Sequence, residues 1–154
     1  MATSLKKHGP HGCNEGSAFD VEPSKPPKTL TNINIWSNDG PDGKINAISF
    51  NYIDNNGDEV QKGTYGKEAG TKHSIPIGQG EYLTNISGYI CPCISALNFK
   101  TSKNKPYGQF GKFPNTGDTS FVIDVDQDSI VALFGRYDDQ IRAIGASSGP
   151  RLDQ

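Results

Sequence analysis

Cysteine is scarce: the 154-residue chain has three, at positions 13, 91 and 93. A secreted disulfide framework uses an even set, so three free thiols in a reducing compartment are expected. Cys91-Pro92-Cys93 lacks the C-x-x-C spacing of a redox or zinc site, and two cysteines that close along a strand are poorly placed to bridge each other. Long apolar runs are missing too. No stretch approaches the ~18 residues of a membrane-spanning helix, and hydrophobic residues make up only 33% of the chain. The opening MATSLKKHGPHG has charge but no apolar core, unlike a secretory signal. The sequon Asn85-Ile86-Ser87 is therefore expected to stay bare. Charge of one sign is not in excess: 15 Lys and Arg against 17 Asp and Glu leave a net charge of -2, which speaks against a nucleic-acid partner. No H-E-x-x-H or G-x-x-x-x-G-K-[ST] occurs, and no enzyme is expected.

What the chain does have is period-two patterning. Ile33 and Ile35 alternate with Asn32 and Asn34, and Ile48, Phe50 and Tyr52 share a face. Val122-Ile123-Asp124-Val125 and Ile130-Val131-Ala132-Leu133-Phe134 are short β-branched runs. Turn residues separate them, as in Asn38-Asp39-Gly40-Pro41-Asp42-Gly43 and Asn55-Asn56-Gly57-Asp58. Short strands with frequent turns predict an all-β sandwich, barrel or prism. The apolar pattern also repeats. Ile45-Asn46-Ala47-Ile48 returns as Ile94-Ser95-Ala96-Leu97 and as Ile141-Arg142-Ala143-Ile144, at offsets of 49 and 47 residues. Alternation would place the Ile and Ala of each unit on one face. Three units predict a pseudo-threefold fold, either a β-trefoil or a β-prism. The Q-x-W signature of the trefoil is missing, and the single tryptophan is Trp36.

Longer segments then point to a family. Gly80-Glu81-Tyr82-Leu83-Thr84-Asn85-Ile86-Ser87-Gly88 resembles the GEYIxxISG segment of jacalin-related lectins. Ile94–Thr101 with Tyr107-Gly108-Gln109-Phe110-Gly111 is similar to ISSLTFKTN…YGPFG of that family. Ile130–Arg136 followed by Ala143-Ile144-Gly145 resembles IVGFxGRSGxxLDAIG, and Gly9–Asp20 resembles a degraded GxWGGNGGxxxD. The similarity runs from about residue 9 to residue 146, in order. It implies a β-prism of three four-stranded Greek-key sheets over residues 9–148, with a flexible arm over 1–8 and a tail over 149–154. It also implies a mannose-type, plant-like lectin, with a role in defence or stress, that binds glycans or glycoproteins without metal or cofactor. The expected location is cytoplasmic or nuclear, away from membranes, and a homodimer is an admissible assembly.

Sugars offer vicinal hydroxyls, which a carboxylate accepts strongly and backbone N–H groups complement. By the resemblance, the site joins a Gly of the amino-terminal loop, here Gly16, to a G-x-x-x-D loop, here Asp138, Asp139, Gln140 and Arg142. Two positions depart from the family pattern. Asp138 replaces the leading Gly, and Arg142 replaces the terminal Asp. Arginine has five donors and no acceptor, so a degenerate site is expected, with weak or no mannose binding. Its fork would suit an anionic glycan instead. The repeat places Asn46 and Ser95 at the equivalent positions of the other units, so none of the three carries the carboxylate. The alternative is a prism-shaped interaction scaffold that has lost sugar binding. Three further features are expected to hold no metal: the acidic run Asp124–Asp128, a solvated strand-to-turn segment that lacks the Gly and Glu of a calcium loop; the histidines His8 and His11 near Cys13, read as surface residues; and His73, read as structural or exposed.

Overall fold

The computed structural model describes residues 5–20 and 26–151. Those residues form twelve strands and no helix: β1 (Lys6–Gly12), β2 (Ser17–Phe19), β3 (Pro27–Asn38), β4 (Lys44–Asp54), β5 (Glu59–Gly66), β6 (Thr71–Pro76), β7 (Leu83–Ile90), β8 (Ile94–Thr101), β9 (Pro106–Gly111), β10 (Thr119–Asp124), β11 (Ser129–Tyr137) and β12 (Ile141–Gly149). All pairings between these strands are antiparallel. They resolve into three four-stranded sets with the same internal order: β5-β4-β3-β6, β9-β8-β7-β10 and β1-β12-β11-β2. The second and third sets share one residue pair, Ile130 opposite Leu83. Each set is a long central hairpin flanked by two outer strands, which is the repeat read from the sequence. The third set takes its outer strands from the amino terminus, so the ends of the chain meet in one sheet.

The arm expected over residues 1–8 is corrected at its inner end. Lys6–His8 already pair with Ser148–Ala146 in β1, and residues 1–4 lie outside the described residues. The boundary expected at 149 also moves, because Gly149 closes β12 and Arg151 donates to the carbonyls of Asp126 and Asp128 at 2.9 and 3.2 Å.

The repeated I-x-A-[IL] unit marks a β-bulge. In the first hairpin Trp36 faces Ala47 and Ser37 faces Ile45, which leaves Asn46 unopposed. In the second, Tyr89 faces Ala96 and Ile90 faces Ile94, which leaves Ser95 unopposed. In the third, Arg136 faces Ala143 and Tyr137 faces Ile141, which leaves Arg142 unopposed. One extra residue breaks strict alternation and re-aims its own side chain. The simple period-two reading of this unit is thus corrected: Ile45, Ala47 and Ile48 are all fully buried. Ile33, Ile35, Phe50, Leu83, Ile86, Leu97, Phe99, Ile130 and Leu133 from all three sets form one core. Truncating Leu97 to Ala should remove about 2–5 kcal/mol. The measurement is a shift of the urea midpoint with an unchanged slope.

Each junction between sets carries a ring pair from two outer strands. His73 of β6 lies 4.6 Å from Phe110 of β9, His11 of β1 stacks 4.9 Å from Phe121 of β10, and Tyr65 of β5 stacks 4.2 Å from Phe19 of β2. His73 and His11 are thus structural. His8 is bonded to Ser148 at 2.8 Å, which leaves no histidine cluster around Cys13.

The G-E-Y segment performs a structural task. Gly80 takes a left-handed turn, with φ of 76°. Glu81, buried in the link from β6 to β7, accepts from the Thr101 hydroxyl at 2.7 Å and from the Gly78 N–H at 3.1 Å. The Thr101 bond, helped by Gly78 and by Lys105 and Lys103, outweighs burial and holds its carboxyl below the ordinary value. A depressed carboxyl stabilises the fold above its unfolded pKa of about 4.3 and loses that stabilisation as pH falls through the folded value. Stability should therefore drop more steeply with acid below about pH 4.3 in the wild type than in Glu81→Gln. Urea midpoints measured across that range test this.

Candidate functional site

The three hairpin ends and three outer-strand loops lie at one end of the molecule. In each set a glycine of the outer loop comes against the carbonyl of the bulge residue. A Cβ on Gly66 would sit 2.2 Å from the Asn46 oxygen, on Gly111 2.4 Å from the Ser95 oxygen, and on Gly12 2.3 Å from the Arg142 oxygen. All three have positive φ, so only glycine fits. The next residue then donates its N–H to that carbonyl: Lys67 to Asn46 at 3.1 Å, Lys112 to Ser95 at 2.9 Å and Cys13 to Arg142 at 3.2 Å. Outer loop and bulge are locked together the same way three times, which is the local basis of the site.

The bulge side chains diverge. Asn46 is buried, and its Nδ2 donates to Asn38 Oδ1 at 2.9 Å and to the Ala69 carbonyl at 2.8 Å. Ser95 donates to the Tyr89 carbonyl at 3.1 Å. Arg142 instead reaches back over its hairpin loop. Its Nε donates to both Asp138 oxygens at 2.9 Å. With the Gln140 amide turned to face it, Oε1 accepts from Nη1 at 2.8 Å and Nη2 at 3.2 Å. The loop is closed by Asp138 N–H to the Gln140 carbonyl at 3.0 Å and Gln140 N–H to Asp138 Oδ1 at 3.2 Å. The Arg142 guanidinium is the main reason that the Asp138 carboxyl lies below the ordinary carboxylate range. Asp138 in turn raises Arg142.

Gly16 stands directly beside this loop, where a Cβ would lie 2.3 Å from the Tyr137 carbonyl oxygen. Gly16, Asp138, Asp139, Gln140 and Arg142 thus fall within one loop pair, with Asp139 exposed at its tip. Arg136, quoted in the sequence only as part of a motif, pins the amino-terminal loop. It donates to the carbonyls of Glu15 at 3.3 Å and Gly16 at 2.7 Å. Its signal was its place directly after the bulged strand's Gly135. Beside the loop pair opens a cavity of about 280 Å³ that draws Lys44 from the first set, Pro92, Ser95 and Lys112 from the second, and Glu15, Gln140 and Arg142 from the third.

The expectation of three free thiols is overturned. Cys13 and Cys93 form a disulfide with Cα atoms 4.7 Å apart, and only Cys91 is free. The bond ties the amino-terminal loop of the third set to the hairpin end of the second. The corresponding first-to-second junction uses backbone hydrogen bonds instead: Gly40 N–H to the Gly111 carbonyl at 3.2 Å and Phe113 N–H to the Gly40 carbonyl at 2.8 Å.

A family model described as the jacalin-like lectin domain matches residues 8–147. The chain belongs to that family. It is 30% identical to a mannose-binding jacalin-related lectin from Ananas comosus, with a TM-score of 0.83 over 96% of this chain and 99% of that one. A Malaysian banana lectin is similar at 28% identity and a TM-score of 0.81, covering 96% and 100% of the two chains. Among curated proteins, myrosinase-binding protein 2 of Arabidopsis thaliana is 29% identical over 96% of this chain but 21% of its own length. A mannose/glucose-specific lectin of Parkia platycephala is 26% identical over 93% of this chain and 42% of its own length. The jacalin-like domain here therefore spans from about a fifth to two fifths of these curated relatives. The β-prism expected from the repeat is the fold of this family, and the strand order above is its arrangement in this member.

Proposed function

We propose that this jacalin-like domain is a non-catalytic carbohydrate-binding module of mannose type, for glycans or glycoproteins, with a degenerate site between Gly16 and the Asp138–Arg142 loop. The relatives named for mannose support the sugar class. The pairing of Arg142 with Asp138 carries the degeneracy. At the bulge, where the resemblance calls for a carboxylate, a guanidinium stands, and it engages both oxygens of the Asp138 carboxylate. A sugar hydroxyl would have to displace an intact charge-assisted pair. Each guanidinium nitrogen already faces Asp138 or Gln140, so the anionic-glycan expectation loses support as well: an anion must first expel Asp138.

A second reading, a prism that serves as an interaction scaffold, is favoured by the bulges of the other two sets, where Asn46 and Ser95 are turned onto backbone carbonyls. A glycan array at high protein concentration, followed by calorimetry, separates the two. The lectin reading expects mannosides weaker than about 1 mM and a response that falls in Asp139→Ala. No response to any neutral or anionic glycan would favour the scaffold. Tight mannose binding unaffected by Asp139→Ala would place the site on another loop.

A further inference from the structure

The disulfide sulfurs have a third neighbour. Glu15 Oε2 lies 3.8 Å from Cys13 Sγ and 3.4 Å from Cys93 Sγ. Bridged sulfurs carry no hydrogen, so neither contact is a hydrogen bond, and no other described donor is bonded to this carboxylate. The three atoms lie within 4.8 Å of one another, and Glu15 and Cys93 line the cavity described above. In the oxidised form this is an exposed carboxylate against a disulfide. Its chemistry changes when the bond is opened.

We propose that the reduced protein binds a thiophilic divalent cation, zinc by chemistry, through Cys13 Sγ, Cys93 Sγ and Glu15 Oε2, and that oxidation to the disulfide abolishes the site. A tetrahedral zinc with Zn–S of about 2.3 Å and Zn–O of about 2.0–2.2 Å has S···O edges of about 3.5 Å and an S···S edge of about 3.8 Å. The two S···O separations already bracket the first value. Once the covalent bond is gone, only the sulfurs must part, by side-chain rotation. The loops that carry them are held independently: that of Cys13 by its N–H on Arg142 and by Arg136 on Glu15 and Gly16, that of Cys93 by the start of β8. Two thiolates and a carboxylate place three negative charges around a doubly charged ion. Lys44 on the same cavity offsets the remainder and favours the thiolates, whereas Lys112 and Arg142 are already paired with Asp118 and Asp138. The fourth position opens to the cavity, where water completes the tetrahedron. Cys91 lies outside the donor set, since the ligand atoms within 4.8 Å of one another are those of Cys13, Glu15 and Cys93. In a reducing compartment the metal-binding form would be the resident one.

The reaction balances simply. A dithiol or phosphine reductant supplies two electrons and the disulfide takes up two protons. Zinc then releases those two protons as both thiols ionise. The site stands apart from the glycan reading and survives its failure.

The test titrates zinc alone into oxidised and phosphine-reduced full-length protein, in anaerobic buffer, by calorimetry. Cobalt provides a second probe through thiolate charge-transfer absorption. One ion per reduced chain and none per oxidised chain is the expected result. Cys13→Ser and Cys93→Ser should each abolish binding. Glu15→Gln, a change at an exposed residue, should weaken it by at least about tenfold, and Cys91→Ser should leave it unchanged. Zinc should also raise the unfolding midpoint of the reduced protein, because it binds the folded state. Equal binding by the oxidised protein, full affinity in Glu15→Gln, loss in Cys91→Ser, or a midpoint lowered by zinc would each overturn the proposal.

Discussion

Opening the Cys13–Cys93 bond should lower the unfolding free energy by roughly 4–5 kcal/mol. The two residues are 80 apart in sequence, so the bridge closes most of the first two-thirds of the chain into one loop and removes a large share of the unfolded chain's freedom. Its place in the fold adds a local effect. β1 and β2 reach their sheet only from the amino terminus, and the loop between them is the segment the bridge holds. Reduction should therefore release β1, β2 and the Gly16 side of the site before the central hairpins melt. Urea unfolding with and without a phosphine reductant, in the presence of a chelator, measures the global term. Amide hydrogen exchange at residues 6–19 measures the local one. Cys13→Ala with Cys93→Ala should reproduce the reduced protein. A difference below about 1 kcal/mol would mean that the unfolded chain gains little from losing the bridge.

Restoring a carboxylate at the bulge should increase mannose affinity by about one and a half to four decades. A buried sugar hydroxyl without its acceptor costs roughly 1–3 kcal/mol, and one aspartate at this position serves two hydroxyls. The recoverable range is then about 2–6 kcal/mol. Both Arg142→Asp and Asp138→Gly are needed. Arg142→Asp alone would set a second carboxylate beside Asp138 and create repulsion where there was a pair. Asp138→Gly alone would leave Arg142 with Gln140 and still no acceptor. The two changes should therefore be strongly non-additive. Calorimetry of the wild type, both single variants and the double variant with methyl mannoside gives the cycle. A double variant that binds no better than the wild type would show that the loop, and not the missing carboxylate, limits binding.

Much was legible in the chain because it depends on local pattern. Alternating Ile and Phe runs between turn residues dictated strands, and the threefold return of Ile45, Ile94 and Ile141 dictated three like hairpins, since the same local pattern folds the same way wherever it recurs. The positions of Asn46, Ser95 and Arg142 as equivalents were readable for the same reason. Other features came from through-space proximity, which no local pattern encodes. That each equivalent position is a bulge depends on the cross-strand register. The Cys13–Cys93 pairing joins loops of two different sets, and cysteine spacing along the chain does not specify it. Sequence counting saw an odd number of thiols and a strained near-neighbour pair, and so expected none to bridge. The arm expected over residues 1–8 became a strand from Lys6 because β12, at the far end of the chain, offers it an edge. The replacement of a carboxylate by Arg142 was visible in the residues themselves. That Arg142 takes Asp138 for itself was decided only when the bulge aimed the guanidinium across its own hairpin.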